Sequence, residues 1–125
     1  MIFINENIKK REKNYLKIEK IILNNDDLFA VKRNHISLLS NFAIPILCKD
    51  SRTRDFYLSQ FSGAGIEVRP VIAGNIQNQP FFNKYVSNKY SLPDTSFIHD
   101  NAFYCGNYPE LTEIDLEVIS SCLSK

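Results

Sequence analysis

Residues 41–69, NFAIPILCKDSRTRDFYLSQFSGAGIEVR, decide the fold. The first eight, Asn41 to Cys48, are a short apolar run bounded by polar residues, which suits a buried strand better than a helix too short to stand alone. Pro45 cannot donate to a ladder, so the strand is expected to lie at an edge or to carry a bulge there. Asp50 or Ser51 can cap a helix over Ser51 to Phe61, with Gly63 and Gly65 as left-handed exit residues. A short strand, Ile66 to Arg69, follows. Strand, helix, strand is the order of a mixed α/β layer.

Working outward, apolar side chains recur at Ile4, Ile8, Tyr15, Ile18 and Ile22 with six basic residues between them. This is the period of an amphipathic helix, and Asn24, Asn25, Asp26 and Asp27 supply its stop by competing for backbone hydrogen bonds. Glu6, Glu12 and Glu19 alternate with the basic residues, so a solvated helix face explains the lysines. Between Pro70 and Pro93 no period persists, and the stretch reads as a long loop of the kind that contacts a ligand or partner. Asp94 to Asn101 fits a helical turn, and Ala102 to Cys105 a strand closing at Gly106. Thr112 and Asp115 stand at N-cap and N3 spacing, with Leu111 and Leu116 placed for a hydrophobic staple. Leu116, Ile119 and Leu123 then form the buried stripe of a last helix. The fold expected is an α/β (α+β) two-layer sandwich, a small mostly antiparallel sheet of three or four strands with helices on one face.

The chain has 125 residues, enough for one domain over 1–125 but short for two. Its 44% hydrophobic and 23% charged residues match a globular chain, and a chain of this size can build a core without disulfides or a metal. A net charge of +1 offers no field for nucleic acid or an anionic membrane. The three cysteines, Cys48, Cys105 and Cys122, form no paired motif and read as reduced, which places the chain in the cytoplasm. The opening MIFINENIKKREK has neither the length nor the apolarity of a signal peptide or a membrane span.

Single catalytic candidates are sparse. His99, Asp100 and Cys105 are close in sequence, but a nucleophile needs a base within hydrogen-bond reach. Cys105 therefore reads as a buried strand residue, His99 as a helix-end or interface residue, and His35 as solvent-exposed. No GxxxxGK[ST], no GxGxxG and no metal-ligating constellation occurs. What remains is the polar loop. Asn75, Gln77, Asn78 and Gln79 each carry both a donor and an acceptor. Arg69 either forks onto a phosphate or carboxylate or pairs with a local acid such as Glu67, and the amides either recognise hydroxyls or cap turns.

The ordered series Gly65, Ile66, Arg69, Pro70, then Gly74, Asn75, Gln79, Pro80, then Leu92, Pro93, then Gly106, Pro109, Leu111, Thr112 carries a resemblance. The chain resembles the C-terminal small domain of the DegT/DnrJ/StrS family of pyridoxal-phosphate-dependent nucleotide-sugar aminotransferases. KKREKNYLKIEKI is similar to the helix entering that domain, and the pattern GxxxRPxxxGNxxxQP resembles the branch acting on 4-keto-6-deoxy sugars, which includes dehydratases using the amine form of the cofactor. Many members carry a histidine before the QP element, and Asn75 to Gln79 hold none. The resemblance implies a small, substrate-closing domain in which Arg69, Asn75 and Gln79 contact substrate or the large domain. It also implies pyridoxal phosphate (PLP) in the complete enzyme, held mainly by a large domain outside this chain, with no cofactor on this chain alone and no catalytic residue of its own. The partners implied are a large-domain chain or homodimer mate and a nucleotide sugar, with the first helix leaving part of its apolar face for docking. A chain beginning at the domain edge is then half of a split enzyme, a fragment or non-catalytic remnant of a full-length one, or a small domain reused as a stand-alone sugar-nucleotide binding module.

Overall fold

The computed structural model describes residues 2–72 and 74–124, Ile2 by its backbone alone. Helix α1 (Ile2–Leu23) is followed by strands β1 (Leu28–Phe29) and β2 (Ala43–Cys48), helix α2 (Ser51–Gly63) and strand β3 (Val68–Pro70). A 3₁₀ turn (Ile76–Asn78), the short helix α3 (Pro80–Tyr85), helix α4 (Pro93–Asn101), strand β4 (Ala102–Gly106) and helix α5 (Glu113–Leu123) complete it. The strands form one antiparallel sheet in the order β1-β2-β4-β3.

Alternation along the strands assigns the two faces. In β2 the buried residues are Ile44, Ile46 and Cys48, and opposite them in register stand Cys105, Phe103 and Leu28. On this face three helices supply the second layer: Tyr15, Ile18 and Ile22 from α1, Tyr57 and Phe61 from α2, and Leu116, Ile119, Cys122 and Leu123 from α5. Phe61 meets Phe103 edge to face, with ring centroids 5.3 Å apart. Each such large apolar side chain contributes about 1.5–3 kcal/mol by leaving water. Buried Asn25 locks the helix ends together, its Nδ2 donating to Tyr57 Oη and to the Leu123 carbonyl, both at 2.7 Å. The basic face of α1 is tied down as well: Lys13 and Lys17 reach Glu113 of α5 at 3.0 and 2.8 Å, and buried Glu19 receives Arg33 at 2.6 and 2.7 Å. The lysine-rich helix face is thus partly an intramolecular ion-pair surface.

Several expectations hold at residue level. Asp50 caps α2, its side chain accepting from Thr53 N–H at 2.7 Å. Thr112 and Asp115 form the reciprocal capping box of α5, and Leu111 packs against the core beside it. Others need correction. The stretch between Pro70 and Pro93 is not one loop: the Asn75 side chain nucleates the 3₁₀ turn and Pro80, with its fixed φ, starts α3. Gly63 lies inside α2, and Gly65 alone of the two has a positive φ, +73°. The strand after α2 begins at Val68, not Ile66, because Gly65 and Ile66 close the helix with bonds to the Ser62 and Phe61 carbonyls. Strand β1, two residues long, has no period to reveal it. Its brevity also accommodates Pro45. Although β2 is interior in strand order, β1 covers only Leu47 and Cys48, so Pro45 has a ladder neighbour on the β4 side alone. On α1, Ile4 is exposed and Ile8 half-buried, so its apolar face is covered only from Tyr15 onward.

Candidate functional site

The polar loop after β3 is built onto α4. Gly74 takes φ +51°, and a Cβ there would fall 1.9 Å from His99 Nδ1. Only glycine permits both the left-handed backbone and this close approach. The next residue exploits it: Asn75 N–H donates to His99 Nδ1 at 3.2 Å. Asn75 itself is buried, 4% exposed. Its Nδ2 donates to Ser96 Oγ at 3.0 Å and its Oδ1 accepts from Gln77 N–H at 3.1 Å. Gln77 is equally buried and pairs with the Tyr90 backbone in both directions, donating to Tyr90 O at 2.9 Å and accepting from Tyr90 N–H at 2.6 Å.

Two of the four loop amides, Asn75 and Gln77, therefore have their hydrogen-bonding groups engaged by the protein, fixing the loop against α4 and the 90-region. Asn78 is exposed, and Gln79 is half-buried at the entrance to α3, its backbone N–H donating to Ile76 O. Arg69 projects from the edge strand β3 and forks onto Glu67 through Nε and Nη2 at 2.9 and 2.7 Å, with both side chains largely exposed. That pair raises the Arg69 pKa, first through the hydrogen bond and then through Glu67's charge. Arg69 lines a cavity in which neither Asn75 nor Gln79 takes part, so the three predicted residues occupy two places rather than one. Ser96, His99 and Tyr90 are the loop's anchors. Of these only His99 stood out in the sequence, since Ser96 and Tyr90 belong to no pattern.

The remaining reactive groups are buried, paired or at the surface. Cys48 and Cys105 have their thiols pushed up to about 12, in each case chiefly by burial, which leaves them without the thiolate a nucleophile needs. His35 is exposed. Among the described residues no three His, Cys, Asp or Glu side chains cluster as metal ligands, and no helix is long and apolar enough to cross a membrane. A lysine that anchors PLP as a Schiff base needs a desolvating pocket. Lys13 and Lys17 sit on Glu113, Lys49 on Asp27, and Lys84 lies over the exposed Tyr85 ring at 5.2 Å. None of these four fits that role.

The sheet face opposite the helix layer is only partly covered. Phe97 of α4 meets Phe29 edge to face, with centroids 6.0 Å apart. Beyond it lies an open apolar depression of about 380 Å³ walled by Val31, Ile36, Phe42, Pro45, Ile72 and Tyr104. Phe42 and Ile72 are 61% and 69% exposed, a contiguous apolar surface of the kind that marks an interaction site.

Comparison with solved structures places this architecture. The chain is similar to a sugar aminotransferase from Micromonospora echinospora, with TM-score 0.80 and 16% identity over 96% of this chain and 31% of that one. It is similar to the E. coli GDP-4-keto-6-deoxy-D-mannose-3-dehydratase with bound hydrated PLP, at TM-score 0.81 and 18% identity over 96% and 31% of the two chains. It is also similar to a DegT DnrJ EryC1 StrS aminotransferase from Brucella abortus, at TM-score 0.77 and 14% identity over 94% and 30%. The likeness is one of fold, and the chain spans about 31% of the length of the structures it matches. No protein-family model and no curated protein matches the chain.

Proposed function

We propose that this chain is the small, substrate-closing domain of a PLP-dependent nucleotide-sugar aminotransferase, or of a dehydratase of the same build, a fragment or one half of a split enzyme that acts together with a large PLP-binding domain. The observation that carries this reading is the fold likeness over 96% of the chain to enzymes of which it spans only 31%. The order of the GxxxRPxxxGNxxxQP elements supports it independently. One of the similar structures, a GDP-4-keto-6-deoxymannose-3-dehydratase, holds GDP-perosamine, which supports a nucleotide sugar as substrate class.

In this reading the cofactor's covalent anchor belongs to the large domain, since the lysines described above are ion-paired or at the surface. The apolar depression and the exposed start of α1, with Phe3 and Ile4 at 77% and 61% exposure, are the surfaces the large domain or a homodimer mate would cover. Arg69 would exchange Glu67 for a substrate oxyanion or a large-domain carboxylate. Asn75 would act at one remove, holding the loop in the shape that presents Gln79. The chain works in the cytoplasm.

The test is capture from native lysate with the full chain as bait, followed by identification of recovered proteins. Recovery, in equal amount, of a chain carrying a PLP-binding lysine supports the proposal, and the pair should then process a 4-keto nucleotide sugar. In that pair Asn75→Ala should raise the KM or lower turnover, with Arg69→Ala acting on KM. A bait that emerges alone, monodisperse and able to bind nucleotide sugars would replace this reading with that of a stand-alone module. A bait that emerges alone and binds none would mark it as a non-catalytic remnant.

A further inference from the structure

A second cavity, of about 540 Å³, opens between α1, α5, the turn at 64–67 and the ends of β3 and β4. Its charged lining consists of Arg11, Glu67, Arg69 and Asp115. Three of these are accounted for. Glu67 holds Arg69 in the fork already described. Asp115 accepts from Thr112 N–H at 2.8 Å and Thr112 Oγ1 at 2.7 Å, and these bonds keep its carboxyl below the usual range. Arg11 is different: its Nε is buried and has no hydrogen-bond partner. A buried guanidinium donor without an acceptor costs about 1–3 kcal/mol or more, so such groups are seldom left unmet.

The protein fixes the backbone at this residue. Fully buried Asn107 donates through Nδ2 to the Arg11 carbonyl and the Asn41 carbonyl, both at 3.0 Å, clamping α1 to the start of β2. Two aromatic walls flank the site. Tyr104 stands edge-on to Phe42 with centroids 6.0 Å apart. Tyr108 lies across Gly106, where a Cβ would come 2.4 Å from the ring, so the glycine makes room for that wall. Arg11 and Arg69 lining one cavity with two tyrosine rings, in a space far larger than a single ion, give the composition of a site for an anion carried on a ring.

We propose that this cavity binds a small organic anion, a phosphate ester or carboxylate borne on a planar ring, with Arg11 holding the anionic head and Tyr104 and Tyr108 the ring. Arg11 is the central residue. Arg69, already satisfied by Glu67, contributes second. The proposal does not depend on the enzyme reading, because the cavity lies within this chain.

The experiment is NMR titration of the full ¹⁵N-labelled chain with phenyl phosphate and with benzoate, following the amides of Gly65, Glu67, Tyr108 and Asp115. Inorganic phosphate supplies the charge without the ring, and benzyl alcohol the ring without the charge. Saturable shifts at these amides with phenyl phosphate or benzoate, tighter than with either control, are expected, and the stronger of the two identifies the head group. Arg11→Met, similar in length and without donors, should weaken that binding by about tenfold or more, while Arg52→Met on exposed α2 should leave it unchanged. If Arg11→Met disturbs folding, Gly106→Ala gives the second reading: by displacing Tyr108 it should weaken phenyl phosphate but not inorganic phosphate. Equal binding of benzyl alcohol, equal binding of inorganic phosphate, undiminished binding by Arg11→Met, or no saturation would each overturn the proposal.

Discussion

Gly74→Ala tests whether the polar loop owes its shape to its packing on α4. At φ +51° an L-residue pays about 1–2 kcal/mol for the left-handed backbone. The added methyl also meets His99 Nδ1 at 1.9 Å, a separation no pair of atoms can keep. His99 must then turn away, and Asn75 N–H loses its acceptor, at about 1–3 kcal/mol if that amide stays buried. Together the substitution should cost about 2–5 kcal/mol in the local stability of residues 74–79, or a loss of roughly 30- to several-thousand-fold in protection, at about 1.4 kcal/mol per factor of ten. Native-state hydrogen exchange at the Asn75, Gln77 and Asn78 amides reads this directly. The decisive comparison is with the same change in a His99→Ala background. There the clash is absent and the acceptor already lost, so the glycine substitution should cost only the backbone strain, about 1–2 kcal/mol. Equal costs in the two backgrounds, or a cost under about 0.5 kcal/mol in the native one, would refute the packing argument.

Two further predictions concern titration and reactivity. The Glu113 carboxyl is pulled down from 4.5 to about 2, first by the hydrogen bond from Lys17 and then by that from Lys13. A lowered folded-state pKa contributes stability that is present above the unfolded value and lost as pH falls through the folded one, so the α1–α5 tie should weaken between about pH 4.5 and 2. A carboxyl ¹³C titration should show the low midpoint, and Lys13→Met with Lys17→Met should return it toward 4.5. For the thiols, burial that pushes Cys48 and Cys105 up to about 12 predicts that iodoacetamide at pH 8 leaves both unmodified in the native chain. Prompt alkylation without denaturant would contradict their placement in the core.

What the sequence made legible was local. The capping box of α5 depends on residues three apart, and the Thr112–Asp115 spacing contained it before any tertiary structure was known. Asp50 capped α2 for the same reason, and the alternation of Ile44, Ile46 and Cys48 followed from the two-residue period of a strand. Strand β1 was not legible because two residues carry no period, and it exists only because β2 offers Cys48 and Leu47 an open edge. The region from Pro70 to Pro93 reads as uniform loop in sequence because its order comes from single side chains acting at a distance. Gln77 reaches the backbone of Tyr90, thirteen residues away, and Asn75 reaches Ser96 and His99.

The same distinction decides how the candidate residues should be weighed. An amide in a polar loop looks alike in sequence whether it faces a ligand or a neighbouring helix, and only burial separates the cases. Asn75 and Gln77, buried with their polar atoms bonded inside the chain, lie on the structural side of that line. Arg69 is exposed, and its partner Glu67 is as exposed as it is, so solvent screens the pair and exchange for another oxyanion costs little. Arg11 shows the converse. Among the basic residues interleaved along α1 nothing distinguished it, yet it carries a buried donor without an acceptor, while Lys13 and Lys17 are answered by Glu113. A sequence pattern can say that a helix face is basic. Which of its cations carries a buried donor without an acceptor is a property of the fold, and the cavity beside that residue is where binding should be sought.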